Sequence, residues 1–160
     1  MAAPHLLVIW HSRTGASEAL ARNVAAGAAE MGRLVRASAV LPEDILSASA
    51  YVFVCPENLA TMSGAMKEMF DRCYYPVLGH IEGRAYATII AAGTDGEGAQ
   101  RQVDRIATGW RLRRVSDSWI VKTHAQIREE IESPKVLANT ELKTARDLGI
   151  TLAEALKLGI

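Results

Sequence analysis

Between His11 and Ser17 the chain sets hydroxyls at Ser12, Thr14 and Ser17 around Gly15, with Arg13 and Ala16 in the same run. Hydroxyls donate to an anion, glycine lets the backbone approach it, and arginine brings counter-charge. A helix starting here would add its unpaired N–H groups and the positive end of its dipole. Phosphate is the ligand such a set suits. Capping a helix needs one Ser or Thr, fewer groups than are present. The spacing is neither GxxxxGK[ST] nor GxGxxG, which excludes a nucleoside-triphosphate P-loop and the ordinary dinucleotide fingerprint.

Two further segments have the makings of a binding surface. In Pro56-Glu57-Asn58-Leu59-Ala60-Thr61-Met62, the apolar Leu59, Ala60 and Met62 suit the face of a flat ring, and Asn58 suits its polar rim. The plainer reading is a strand-to-helix loop with Ser63 as N-cap. The second segment, Gly93-Thr94-Asp95-Gly96-Glu97-Gly98, has three glycines in six residues, so it is either a close-approach loop or a flexible turn. Glu97 fits favourable charge at a helix start, and Asp95 with Glu97 is not an acid/base pair.

Other chemistries are poorly supplied. His5, His11, His80 and His124 are scattered without HxxxH or HExxH spacing, so no zinc site is expected. There is no GxSxG elbow. A phosphoacceptor of the receiver type needs acidic residues ending the first and third strands, where His11 and Pro56 stand. Cys55 reads as a buried strand end, and Lys67 and Arg72 as a solvated helix face.

The elements that must carry these loops alternate. Leu6–Trp10, Tyr51–Cys55 and Ala85–Ala92 are apolar runs of the kind covered on both faces. Leu34–Ala39 is a less apolar strand, and Leu112–Val121 a fifth, interrupted around Ser116-Asp117-Ser118. Helices are expected from Ser17 to Met31, stopped by Gly32, and from Ser63 to Tyr75, after Pro56 ends its strand. Another carries Val103, Ile106, Ala107 and Trp110, and a last one runs from Thr140, as N-cap, to Leu158. Residues 122–139 read as a surface connection. Such alternation gives right-handed crossovers, a parallel sheet with helices on both faces, and ligands at the carboxyl ends of the strands. All three candidate loops follow strands at that edge.

In 160 residues, 49% hydrophobic and 22% charged, there is room for one domain, here residues 1–160, and no sign of disorder. Eighteen Lys+Arg balance eighteen Asp+Glu, against a nucleic-acid partner held by bulk charge. No run reaches the roughly 20 apolar residues of a membrane span, and Met1–His5 lacks the basic start of a signal peptide. Two cysteines without CxxC spacing fit a reducing cytoplasm better than a disulfide framework.

Ile9-Trp10-His11-Ser12-Arg13-Thr14-Gly15-Ala16-Ser17-Glu18 resembles the FMN-phosphate loop of the flavodoxin family, with its [ST]-x-T-G-x-[ST] signature. Pro56–Ser63 with Met66–Arg72, and Ala91–Gly98, are similar to the second and third loops of NAD(P)H-dependent FMN and quinone reductases. The resemblance covers about residues 6–115. It implies a flavodoxin-like three-layer sandwich with a five-stranded parallel sheet, FMN as cofactor, and NADH or NADPH as donor to a quinone, flavin or similar small acceptor. It also implies a homo-oligomer, for which Tyr75, Trp110 and Trp119 are spare aromatics. Arg111, Arg113 and Arg114 are either a solvated strand face or a seat for the 2′-phosphate of NADPH. Two departures stand out: Ala16 replaces a usually polar residue, and neither later loop carries an aromatic to stack on the flavin. Trp10, Tyr74 and Tyr75 are the nearest candidates.

Two alternatives remain, a flavodoxin-like electron carrier and a binding module without flavin. The carrier requires a left-handed residue in the second loop. With no glycine from Glu57 to Ser63, only Asn58 would adopt that conformation cheaply.

Overall fold

A computed structural model describes residues 2–159. The chain begins with strand β1 (Leu6–Trp10), helix α1 (Ala16–Ala28), strand β2 (Gly32–Arg36) and helix α2 (Pro42–Ser47). Strand β3 (Ala50–Asn58) turns into β4 (Thr61–Met62), followed by α3 (Gly64–Val77), β5 (Ala85–Ala92) and α4 (Glu97–Gly109). The rest is β6 (Arg113–Arg114), β7 (Trp119–Lys122), α5 (Arg128–Glu132) and α6 (Asn139–Lys157). The sheet order is β2-β1-β3-β5-β6, with β7 also on β5 and every one of these pairs parallel. Because the chain leaves β1 for β2 on one side and returns to β3 on the other, the switch point lies between β1 and β3.

Strand residues alternate between two cores. Leu7, Ile9, Tyr51 and Phe53 face α3 and α4, where Phe53 meets Phe70 with ring centroids 5.0 Å apart. Leu6, Val8, Val52 and Val54 face α1 and α6. Those two helices cross backbone to backbone. A Cβ on Gly27 would collide with the Arg146 carbonyl, and one on Gly149 with the Val24 carbonyl. No helix among the described residues is long and apolar enough to cross a membrane.

Several expected boundaries are corrected. Helix α1 stops at Ala28, where Ala29 takes φ 51, and a 3-10 turn follows. Gly32 is no helix stop; it opens β2 in extended geometry, and a Cβ there would lie 2.6 Å from the Ala25 carbonyl oxygen. Strand β2 ends at Arg36 because residues 37–39 wind into another 3-10 turn. Helix α2 was not anticipated, although Pro42 at its first position and Glu43 and Asp44 in its first turn are start signals. Pro56 does not end β3: it stays in register with Ala91, and its carbonyl accepts from Ser63 N–H. Ser63 is the N-cap position of α3, as expected. At α6 the N-cap is Ala138, whose N–H donates to Glu141 3.1 Å away; Thr140 lies inside the first turn.

The sheet has five positions but seven strands. One extra is β4, the return limb of a hairpin on β3. The other arises because the fifth position is split into β6 and β7. Asp104 of α4 reaches the gap, accepting from Tyr86 Oη (3.2 Å), Thr88 Oγ1 (3.0 Å), Gln100 Nε2 (2.5 Å) and Ser118 Oγ (2.6 Å). Ser118 is drawn inward, and the strand breaks around it. Trp110, expected as a spare interface aromatic, is buried edge-on against Phe70. Arg72 is not merely solvated: its guanidinium donates to the carbonyls of Ala37 and Val40 and pairs with Glu68. Lys67 pairs with Asp71 on the exposed face of α3.

Candidate functional site

A cleft of about 760 Å³ opens at the carboxyl ends of β1, β3 and β5, inside the usual range for small-ligand sites. Its first wall is Ser12, Arg13, Thr14, Ala16 and Ser17. Gly15, at φ 107, occupies the N-cap of α1, and its N–H donates to Ser12 Oγ at 3.0 Å. The Ser12 hydroxyl therefore keeps its proton for a ligand. Ser17 is 1% exposed, and its Oγ has no partner. The amides of Ala16 and Ser17, in the first turn, have no intrahelical acceptor. A buried hydroxyl without a partner, beside amides with no helical acceptor, is a donor set that could hold an anion.

The second wall is Pro56, Glu57, Asn58 and Leu59. Asn58, the one residue of this loop that could turn left-handed cheaply, stays in register opposite Thr61. Leu59 (φ 52) and Ala60 (φ 65) take the left-handed geometry, as the two-residue mirror-image turn of a hairpin. Such geometry costs roughly 1–2 kcal/mol per non-glycine residue. The neighbours hold it in place. Met62 N–H donates to Gln102 Oε1 at 2.9 Å, Gly96 N–H to Glu57 Oε2 at 2.9 Å, and Gly98 leaves space for the Ala60 carbonyl. Leu59 is 98% exposed at the rim of the cleft.

The third wall is Ala91, Ala92, Gly93 and Thr94. Asp95 Oδ1 accepts from Glu97 N–H, and Gly96 (φ 92) is the N-cap of α4. Of the residues expected at the site, Gly15, Ala60, Thr61, Met62, Asp95, Gly96 and Gly98 shape the walls without lining them.

Sequence reasoning missed a fourth wall. Thr123, Ala125, Ile131, Glu132 and Lys135 belong to the connection between β7 and α6, read as mere surface. It forms a strap. Thr123 and His124 N–H donate to the Ala92 and Gly93 carbonyls at 2.8 Å, and Lys135 N–H to the Thr14 carbonyl at 2.7 Å. Its signal was position: it leaves a strand at the same edge as the three loops.

His11, also passed over, directly follows β1, with Nδ1 2.9 Å from Ser63 Oγ. Burial, then the charges of Arg36 and Arg13, hold its pKa below the ordinary 6.5. The unfolded chain therefore takes up a proton more readily than the folded one. His11 should leave stability intact above pH 6.5 and subtract from it as pH falls below that value. Urea midpoints for wild type and His11→Gln at pH 7.5 and 5.5 test this; the variant should lose less on acidification.

Other candidates lie elsewhere. In register with Ala85 and Tyr86, Arg113 and Arg114 sit at the amino end of β5, away from the cleft, and adjoining Arg111 is not brought to it. Trp10 is buried with Arg36 4.7 Å over its ring. Tyr74 and Tyr75 stack on each other on α3 and do not line the cleft. Cys55 and Cys73 are free and buried, and burial pushes the Cys55 thiol up to about 12. Among the described residues no group of three His, Cys, Asp or Glu could hold a metal.

The family described as NADPH-dependent FMN reductase matches residues 37–126. A flavodoxin from the domain Archaea superposes with TM-score 0.76 at 16% identity, over 96% of this chain and 99% of the other. A WrbA-like flavodoxin from Agrobacterium tumefaciens gives 0.78 at 18%, over 98% and 99%. The rubredoxin oxygen:oxidoreductase of Desulfovibrio gigas gives 0.71 at 15%, over 98% of this chain and 36% of that one. Among curated proteins none matches this sequence.

Proposed function

The chain belongs to the NADPH-dependent FMN reductase family, and from that premise we propose that it is a single FMN-binding domain reducing quinones, flavins or similar small acceptors with NADH or NADPH. The observation that carries this reading is the orphaned Ser17 hydroxyl at the mouth of α1. The hydroxyls of Ser12, Thr14 and Ser17 and the first-turn amides fit a flavin phosphate. Pro56, Leu59, Ala91 and Ala92 offer apolar surface to the ring, and Asn58 a polar group to its rim. When bound, FMN supplies the acceptance of hydride from a nicotinamide and its delivery as two electrons to the acceptor. The protein's part is to orient the ring and anchor the phosphate, so the lack of a carboxylate pair is no obstacle.

A second reading, the electron carrier, gains from one observation. The left-handed residues thought incompatible with this loop are present at Leu59 and Ala60. Steady-state oxidation of NADH and NADPH by the FMN-loaded protein, against a panel of quinones and flavins, separates the two. Turnover of at least one nicotinamide is expected; FMN bound without turnover on either would favour the carrier. A homo-oligomer belongs to the same reading, with Tyr75 exposed and Trp119 half-buried as the remaining candidate contacts. The two buried free thiols suit a cytoplasmic setting.

A further inference from the structure

Resting on the flavin reading above, we propose that Lys135 is the residue by which the cleft selects phosphorylated over unphosphorylated flavin. The strap carries it from the third loop to the first. Its N–H is bonded to the Thr14 carbonyl at 2.7 Å, and its own carbonyl oxygen lies 3.8 Å from where a Cβ on Gly15 would be. Lys135 thus lies against the phosphate loop and lines the same cleft as Ser12, Thr14 and Ser17.

The ammonium is already ordered. It donates to the carbonyls of Ile131 at 2.9 Å and Ser133 at 2.6 Å, which leaves the third N–H for another acceptor. Of the nearby carboxylates, Glu132 pairs with Arg128 and Glu130 accepts from Gln126 N–H, while Glu129 shares a second, shallower hollow with Lys135. Lys135, Ser17 with its unpartnered buried hydroxyl, and Ala16, whose amide has no helical acceptor, all line this one cleft. A phosphate monoester satisfies all three, and riboflavin, lacking it, satisfies none. Arg13, exposed at the rim, adds only a screened field. Both the strap beyond residue 126 and the phosphate loop lie outside the stretch that matches the reductase family.

The test titrates apoprotein with FMN and with riboflavin, following flavin fluorescence, for wild type, Lys135→Met and Lys135→Arg. The methionine variant should lose about tenfold in FMN affinity, the size of one charge-assisted hydrogen bond. Its riboflavin affinity should stay within about twofold, showing that cleft and fold are intact, and arginine should restore most of the FMN affinity. The salt dependence of FMN binding should also flatten in the methionine variant. Equal losses for both flavins, or no loss for FMN, would overturn the assignment of Lys135 while leaving the flavin reading in place. A wild type that binds neither flavin removes that reading and this inference with it.

Discussion

FMN binding should collapse in Thr14→Glu, with Kd rising between about a hundredfold and a thousandfold. A flavin phosphate carries roughly −1.5 to −2 charges near neutral pH. A carboxylate about 4 Å from a unit negative charge costs around 4 kcal/mol at the effective dielectric of a protein surface. Thr14 is half-buried at the cleft, so part of that repulsion is screened, but the lost hydroxyl adds to it. The backbone is spared, because the Thr14 carbonyl that receives Lys135 N–H is unchanged. Fluorescence titration with FMN measures the effect, and riboflavin, without the charge, should lose far less. Unaltered FMN affinity would remove the assignment of the phosphate to residues 12–17.

Gly149→Ala should destabilise the fold by about 3 kcal/mol, the upper range for an added methyl in a filled core. A Cβ at Gly149 falls on the Val24 carbonyl and lies 3.0 Å from Ala28 N. Both are backbone atoms of α1, so no side chain can rotate away and the helices must part. Thermal unfolding of the apoprotein should show a melting temperature lower by roughly 6–12 °C. Because α1 presents the phosphate loop at its other end, FMN affinity should weaken as well. A melting temperature within a degree of wild type would mean that the two helices are not in backbone contact.

The fold was legible wherever one interaction dominates. Ala85–Ala92 is buried on both faces along its whole length, and both its ends were read correctly. Errors fall where tertiary contacts override local preference. Pro56 stays in its strand because the chain continues into a hairpin clamped by Gln102 and Gly98, partners distant in sequence. Leu59 and Ala60 turn left-handed for the same reason. Asp104 breaks the last strand from a helix that precedes it, and only Ser116-Asp117-Ser118 hinted at this. Much of three cleft walls was visible, because hydroxyls and glycines there are set by short-range geometry. The strap was not, since Thr123, Ile131 and Lys135 have no special spacing and reach the cleft only because the segment is tied to the carbonyls of Ala92, Gly93 and Thr14.

The divided strand beside β5 also bears on how this protein behaves when concentrated. An outermost strand presents a row of free N–H and C=O groups, a template on which another chain can add and aggregation can begin. Here no such row is continuous. Strand β6 is two residues long and carries Arg113 and Arg114, both exposed. The chain then leaves the ladder where Asp104 binds Ser118, and β7 resumes for four residues. An incoming strand finds two short stubs on the same neighbour with the chain out of the ladder between them, one stub carrying two arginines. The same carboxylate that interrupts the sheet thus keeps its margin from recruiting copies of itself.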